Sequence, residues 1–340
     1  MIAWTVKEGI MKRHGKLPFT LNVPFRAYQG EAFAAGVLKA NVADFSTLLC
    51  DMFINCTHNH DEGNVYCLLD YDGWCVERGA TSRQEMWLKP DILNRRSIDL
   101  MALNKEMLDN GHYINGSFND YYIPRKSAYR QFDFNHDYLL LGYDDERGVF
   151  HSVGYLDDGK YDYFDIPYEN YLESVKNISE ASFFIAYRHP VETFVPVINP
   201  DVIESSLQSY LHSRNLGPVI HPDKSFGIAV WREYAQSLAA ADPNEPIDLR
   251  AGRCFMEHKQ LMLLRLRTLH EKGFLQNAEL IDAYETLAQD AAWLFNLTFK
   301  YTLAPASAPL KKIHDHVAAI NQREPDILEQ VSDELSAGRR

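Results

Sequence analysis

Apolar and polar residues alternate in two regimes along the chain. Three short apolar runs, Tyr138 to Tyr143, Val149 to Tyr155 and Tyr161 to Ile166, are separated by Asp144-Asp145-Glu146-Arg147-Gly148 and Leu156-Asp157-Asp158-Gly159-Lys160. Runs of strand length closed by Asp and Gly predict an antiparallel meander, because these residues tolerate the backbone of tight reversals. Beyond Lys224 the period changes to steps of three and four. Ile228 to Ala241, Leu249 to Gly273, Asn277 to Thr302 and Ser307 to Ala319 each read as amphipathic helices, and together as a bundle, with a frayed tail from Ser332 to Arg340. Between the two regimes Pro196, Pro200, Gly217 and Pro218 cluster within Val195 to Pro222, marking a domain boundary that holds one short helix, Val202 to Ser213.

The first half is less regular. Residues 1 to 28 show no clear period, whereas Gln29 to Ala40 and Asn41 to Asn59 both read as helices. In the second of these Phe45, Leu48, Leu49, Met52 and Phe53 supply the helical spacing, with Asn41 as N-cap and Asp44 complementing the positive helix start. Val65 to Leu69 and Trp74 to Glu77 are strand candidates and Ile92 to Asn110 a helix. Tyr113 to Pro124 is a strand that stops at its proline. Tyr168 to Asn177 is a short helix, and Phe183 to Phe194 is extended. No internal repeat is present. The expected fold class is α+β: a domain with an antiparallel sheet over 1–195, then a helical domain over 196–340.

Composition narrows the function classes. The 340 residues are 46% hydrophobic and 24% charged, enough for a core without covalent staples, and the net charge of −13 argues against a nucleic-acid partner. Five cysteines at irregular spacing, with no Cys-x-x-Cys pair, do not form a disulfide framework. The start has no signal-peptide pattern, and no apolar run approaches the roughly 18 residues of a spanning helix, so no membrane partner and a cytoplasmic location are expected. Tyrosines concentrate between Tyr113 and Tyr171, which suits strand packing or a pocket.

Candidate chemistry centres on Phe132-Asp133-Phe134-Asn135-His136-Asp137, where His136 stands at the mouth of a buried strand as an acid-base group. His58 and His60 beside Asp61 and Glu62 have metal-ligating side chains. Without a third anchored ligand they read as an exposed polar loop, so no metal or other cofactor is expected. Glu257-His258-Lys259 point in different directions on a helix, and His258 is taken as structural or solvated.

The segment His136-Asp137-Tyr138-Leu139-Leu140-Leu141-Gly142-Tyr143-Asp144, followed by a hairpin and a helix, resembles the histidine half of papain-like cysteine enzymes. Within that group it resembles the butirosin biosynthesis protein H family. The resemblance runs from Gln29 to Ile178, most clearly from Phe118 to Tyr171, with a looser likeness through the helical third. It implies a papain-like fold for 1–195. It also implies an acyltransferase of natural-product and antibiotic biosynthesis, which moves an acyl group from an acyl or peptidyl carrier protein thioester to a small-molecule amine. His136 would be the base and Asp120 or Asp137 its orienting carboxylate. Gln29 would be an oxyanion-hole donor, and Trp74, Tyr121 and Tyr122 would line the cleft.

The sequence departs from that pattern at two points. The first turn of the long helix, read as Asn41-Val42-Ala43-Asp44, lacks the family's nucleophilic cysteine; Cys50 falls mid-helix and Cys56 near its end, where the helix dipole disfavours a thiolate. Cys50 is the nucleophile only if that helix register is wrong. The strand after the histidine strand, Val149 to Tyr155, carries no carboxylate. Alternatives to the acyltransferase are therefore a catalytically silent papain-fold protein that binds or docks a partner, and a cysteine peptidase.

Overall fold

The computed structural model describes residues 14–60, 64–67, 87–88, 98–178, 185–188, 195–215, 223–304 and 310–338. The first elements are strand β1 (His14–Lys16), helices α1 (Gln29–Asn41) and α2 (Phe45–Leu49), and strands β2 (Cys56–Asn59), β3 (Asn64–Cys67) and β4 (Trp87–Leu88). Helix α3 (Leu100–Asp109) and strand β5 (Tyr113–Asn119) lead through a 3-10 turn, Asp120–Tyr122, to β6 (Asn135–Asp144). Then come β7 (Val149–Tyr155), β8 (Tyr161–Pro167), α4 (Tyr168–Lys176) and β9 (Ile185–Arg188). The remainder is α5 (Pro200–Leu211), β10 (Lys224–Phe226), α6 (Ile228–Ala240), α7 (Leu249–Glu271), α8 (Ala278–Leu303) and α9 (Leu310–Ala337). The chain is thus mixed α+β with an antiparallel sheet. It divides into two compact units: Met1–Asn22, Gly36–Asn41 and Ser82–Glu192 form the first, and Val23–Ala35, Val42–Thr81 and Thr193–Arg340 the second.

In the first unit the expected meander is present. Neighbouring strands run β4-β9-β5-β6-β7-β8, every pair antiparallel, and β1 also pairs with β6. One edge of β6 is shared: β5 covers Asn135 to Leu140, and β1 takes over at Gly142 to Asp144. A Cβ on Gly142 would run into the Gly15 backbone, so this crossing admits only glycine. Beneath the sheet, Ile114, Phe118, Tyr138, Leu140, Phe150 and Ile166 pack with Leu108 of α3 and Tyr171 and Val175 of α4. Two buried tyrosines satisfy each other: the Tyr138 and Tyr171 hydroxyls lie 2.8 Å apart, and Asn104 Nδ2 donates to Tyr171 at 2.9 Å. Strand β5 ends earlier than its hydrophobic pattern, because Asn119 Oδ1 accepts the Tyr121 amide and turns the chain.

The second unit differs most from expectation where a helix was read over Asn41 to Asn59. Asn41 ends α1 instead, and Asp44 caps α2, its Oδ1 accepting from the Thr47 amide at 3.1 Å. Helix α2 stops after a single turn because the Arg265 guanidinium takes the carbonyls of Cys50 at 2.8 Å, Leu49 at 3.2 Å and Met52. Phe53 then adopts a left-handed backbone (φ 60°), and the chain enters β2. Thr57 to Asn59, expected as the end of that helix and the start of the polar loop holding His58 and His60, are therefore strand, lying between β10 and β3 in a small antiparallel sheet.

Helix α9 packs on α5, α6 and α8, and α7 on α8, α2 and β3. It continues through Pro325 and the expected frayed tail, because Ile313, Val317, Ile320, Leu328, Val331 and Leu335 form one buried stripe. The expected 196–340 helical region lies in this unit, which also holds β2, β3 and α2. Its interior is polar as well as apolar: Glu324 accepts from Lys259 at 2.6 Å, Tyr210 at 2.7 Å and Tyr284 at 2.5 Å, all four groups buried.

Candidate acid-base site

Strand register brings the first candidates together. Phe118 pairs with His136 and Asn119 with Asn135, so the turn after β5 brings Asp120 to the start of β6. Asn119 clamps both ends of the intervening loop, accepting from the Phe134 amide at 3.2 Å and donating to Asp133 at 2.7 Å and to the Asn177 carbonyl at 3.0 Å. The Asp120 amide donates to the Phe134 carbonyl at 2.8 Å.

Within this frame His136 Nδ1 lies 3.6 Å from Asp120 Oδ2, an ion-pair separation somewhat longer than a hydrogen bond. The carboxylate is 4% exposed and the imidazole 33%, so the acid stands behind and the base faces outward. Among the described residues, Asp120 Oδ1 is buried without a hydrogen-bond partner. Nearby, the buried Lys126 donates to the Tyr155 carbonyl at 2.9 Å; burial lowers its amine's pKa, opposed by the charge of Asp120. The Phe134 ring sits 5.2 Å from the His136 ring.

The remaining expected residues are distributed differently. Asp137 is exposed and, as the next residue of a strand, projects to the other face, so it is Asp120 that stands beside the imidazole. Tyr121 and Tyr122 are half-buried with rings 5.0 Å apart; Arg130 lies over the Tyr121 ring, and the Tyr122 carbonyl accepts from Asn170. Gln29 opens α1 and is buried in the second unit. Trp74 and Cys75 lie outside the described residues, as does the Cys67 side chain.

Cys50 is also in the second unit, as the C-cap of α2 rather than mid-helix. Burial pushes its thiol up to about 12 against the opposing charge of Arg265, and Sγ donates to the Ser46 carbonyl. Burial also raises the Cys56 thiol well above its ordinary value, and Cys56 donates to the Gly227 carbonyl; Cys254 donates to that of Val65. The first long helix begins Gln29-Gly30-Glu31-Ala32, so its first turn holds no cysteine either.

The fold also brings together titratable groups that the sequence does not reveal as partners, two such groupings being centred on Asp165 and on Glu31. His151 Nδ1 meets Asp165 Oδ1 at 2.6 Å, and Arg147 reaches Asp165 Oδ2 at 2.6 Å. Burial raises the Asp165 carboxyl, but the hydrogen bonds from His151 and Arg147 outweigh it and hold it below the usual range. The carboxylate missing from β7 comes from β8, and registering the two strands about the Asp157-Asp158-Gly159 turn would have paired these residues. The other grouping joins Glu31 to Glu257. Burial, then the charge of Glu257, raises the Glu31 carboxyl, whose Oε2 has no hydrogen-bond partner among the described residues. Glu257 accepts from the Arg26 and Ala27 amides, each at 2.9 Å, and from Arg253 at 2.9 Å. No short-range pattern links these distant positions.

No family model and no curated protein matches the chain. Among the described residues, no helix is long and apolar enough to cross a membrane.

Proposed function

We propose that the protein is a papain-like acyltransferase in which His136 acts as a general base on the acceptor amine, without a covalent thiol intermediate. The observation that carries this reading is the buried Asp120 carboxylate 3.6 Å from His136 Nδ1. A carboxylate there favours the tautomer protonated on Nδ1 and stabilises the imidazolium, leaving Nε2 to accept a proton. The amine adds to the carbonyl of a thioester on an acyl or peptidyl carrier protein. His136 takes the amine proton, and the carrier thiol leaves with it as the amide forms. Burial of Cys50, Cys56 and Cys254, with the thiols of the first two held protonated, supports this route over that of a cysteine peptidase.

A second reading, a silent docking or binding protein, is favoured by Phe132 and Phe134, which are 53% and 46% exposed beside His136. The experiment is thiol release from acyl-carrier thioesters in the presence of amines. If His136 is the base, His136→Gln lowers turnover by roughly a hundredfold to ten-thousandfold, with the melting temperature near that of the wild type. Equal turnover in wild type and variant removes His136 from the mechanism. Binding of the carrier protein or the amine without any turnover leaves the docking reading.

A further inference from the structure

A second constellation lies in the other unit and is independent of the acyl-transfer reading. Strand alternation sets His58 in β2 and His60 just beyond its end on the same face. Ser225 of β10, directly opposite His58, shares that face. Glu233 of α6 closes over it: Oε2 is 2.8 Å from His58 Nδ1 and 3.3 Å from His60 Nε2, and Oε1 accepts from the Ser225 hydroxyl. His60 Nε2 is also 2.9 Å from Ser225 Oγ, and the two imidazole rings meet edge to face at 4.8 Å. One ligand atom from each of His58, His60 and Glu233 falls within 4.8 Å of the others. The third anchored ligand that the sequence lacked comes from a helix far along the chain.

We infer that His58 Nδ1, His60 Nε2 and Glu233 Oε2 bind a divalent cation of the zinc class. Two imidazoles and one carboxylate are the donors that zinc and its borderline neighbours favour, whereas calcium and magnesium require a shell of oxygens. The present spacings suit hydrogen bonds, and an ion at about 2.0 to 2.1 Å from each ligand needs only side-chain rotation to enter between them. Each imidazole then turns a lone pair to the metal and keeps its proton on the other ring nitrogen. Ser225 keeps hold of Oε1, which aims Oε2 at the ion. His60 is 44% exposed, so the ion has an entry path and solvent fills the fourth position. Bound metal ties β2 to α6.

The test uses the full chain, stripped with a chelator and titrated with Zn²⁺ against a chromophoric competitor, with melting followed in parallel. The expected result is one Zn²⁺ per chain and a raised melting temperature. Glu233→Gln and His60→Ala should abolish both, while Ser225→Ala weakens binding by about tenfold to a hundredfold. Co²⁺ should give the intense visible absorption of a four-coordinate site in the wild type and lose it in Glu233→Gln, which supplies a readout even if His60→Ala folds poorly. Wild-type protein that takes up no stoichiometric Zn²⁺ shows a hydrogen-bonded cluster only and overturns the proposal. So does uptake that survives Glu233→Gln.

Discussion

His258 shows what burial does to a single side chain. It is fully buried on α7, with Nε2 donating to the Ile54 carbonyl at 2.9 Å and Nδ1 facing the Lys259 ammonium at 3.4 Å. Burial, reinforced by the charges of Lys259 and Arg265, holds its pKa well below the usual histidine value. Above about pH 6.5 the side chain is neutral in both folded and unfolded protein; below it, the unfolded chain binds a proton that the folded chain refuses. Stability must therefore fall as the pH drops through that value. Urea unfolding of the wild type between about pH 7.5 and 5 should show a steeper loss than that of His258→Asn, and equal slopes would contradict the assignment. From the sequence alone His258 is either structural or solvated, since Glu257, His258 and Lys259 point in different directions. All three are buried, because α7 is enclosed by elements from both halves of the chain. His136 was legible as the mouth of its strand from the local pattern, whereas Asp120 beside it was expected only from the resemblance, and the 3.6 Å approach depends on the β5–β6 register. Glu233, Glu31 and Asp165 were not, because their partners depend on packing or register.

At the level of elements, the meander was readable because its turns carry the Asp and Gly that reversals demand, and its strands formed nearly as bounded. Helix α2 was misread for the opposite reason. Phe45, Leu48, Leu49, Met52 and Phe53 have genuine helical spacing, but Arg265, distant in sequence, claims the carbonyls that would have continued the helix. Gly142 sits between these cases, since its place in the strand was visible and the close crossing of β1 was not. A methyl group there must push the Gly15 backbone away. Gly142→Ala should destabilise the protein by about 1 to 3 kcal/mol and speed hydrogen exchange at the Leu17 amide, which donates to the Leu141 carbonyl at 2.7 Å. Unchanged exchange at Leu17 would show that β1 tolerates the added methyl.

At the scale of the whole molecule, a linear division at 195/196 was the natural expectation from composition, whereas the second unit also includes Val23–Ala35 and Val42–Thr81. Arg265, Glu257 and His258 bond backbone groups of these early segments. A fragment of 196–340 would leave each of those side chains buried or exposed without its partner, and β10 without β2. It should show helical content but no cooperative melt, and a sharp two-state transition would establish that the helices suffice alone. No local pattern encodes such an arrangement, because each early segment reads as ordinary helix or strand until its distant partners are known.

The discontinuous second unit also sets an order of events during synthesis. Every described strand of the larger sheet has left the ribosome once Arg188 emerges, so that sheet can close on the nascent chain. Strand β2 has no such freedom, since its partner β10 is not complete until Phe226, and Arg265 follows later still. Cys56 and the neighbouring apolar residues of α2 must wait through that interval without their final cover. The vulnerable stage of this protein's life is therefore the translation from β2 to Arg265, when chaperones have the most to gain by holding its early segments.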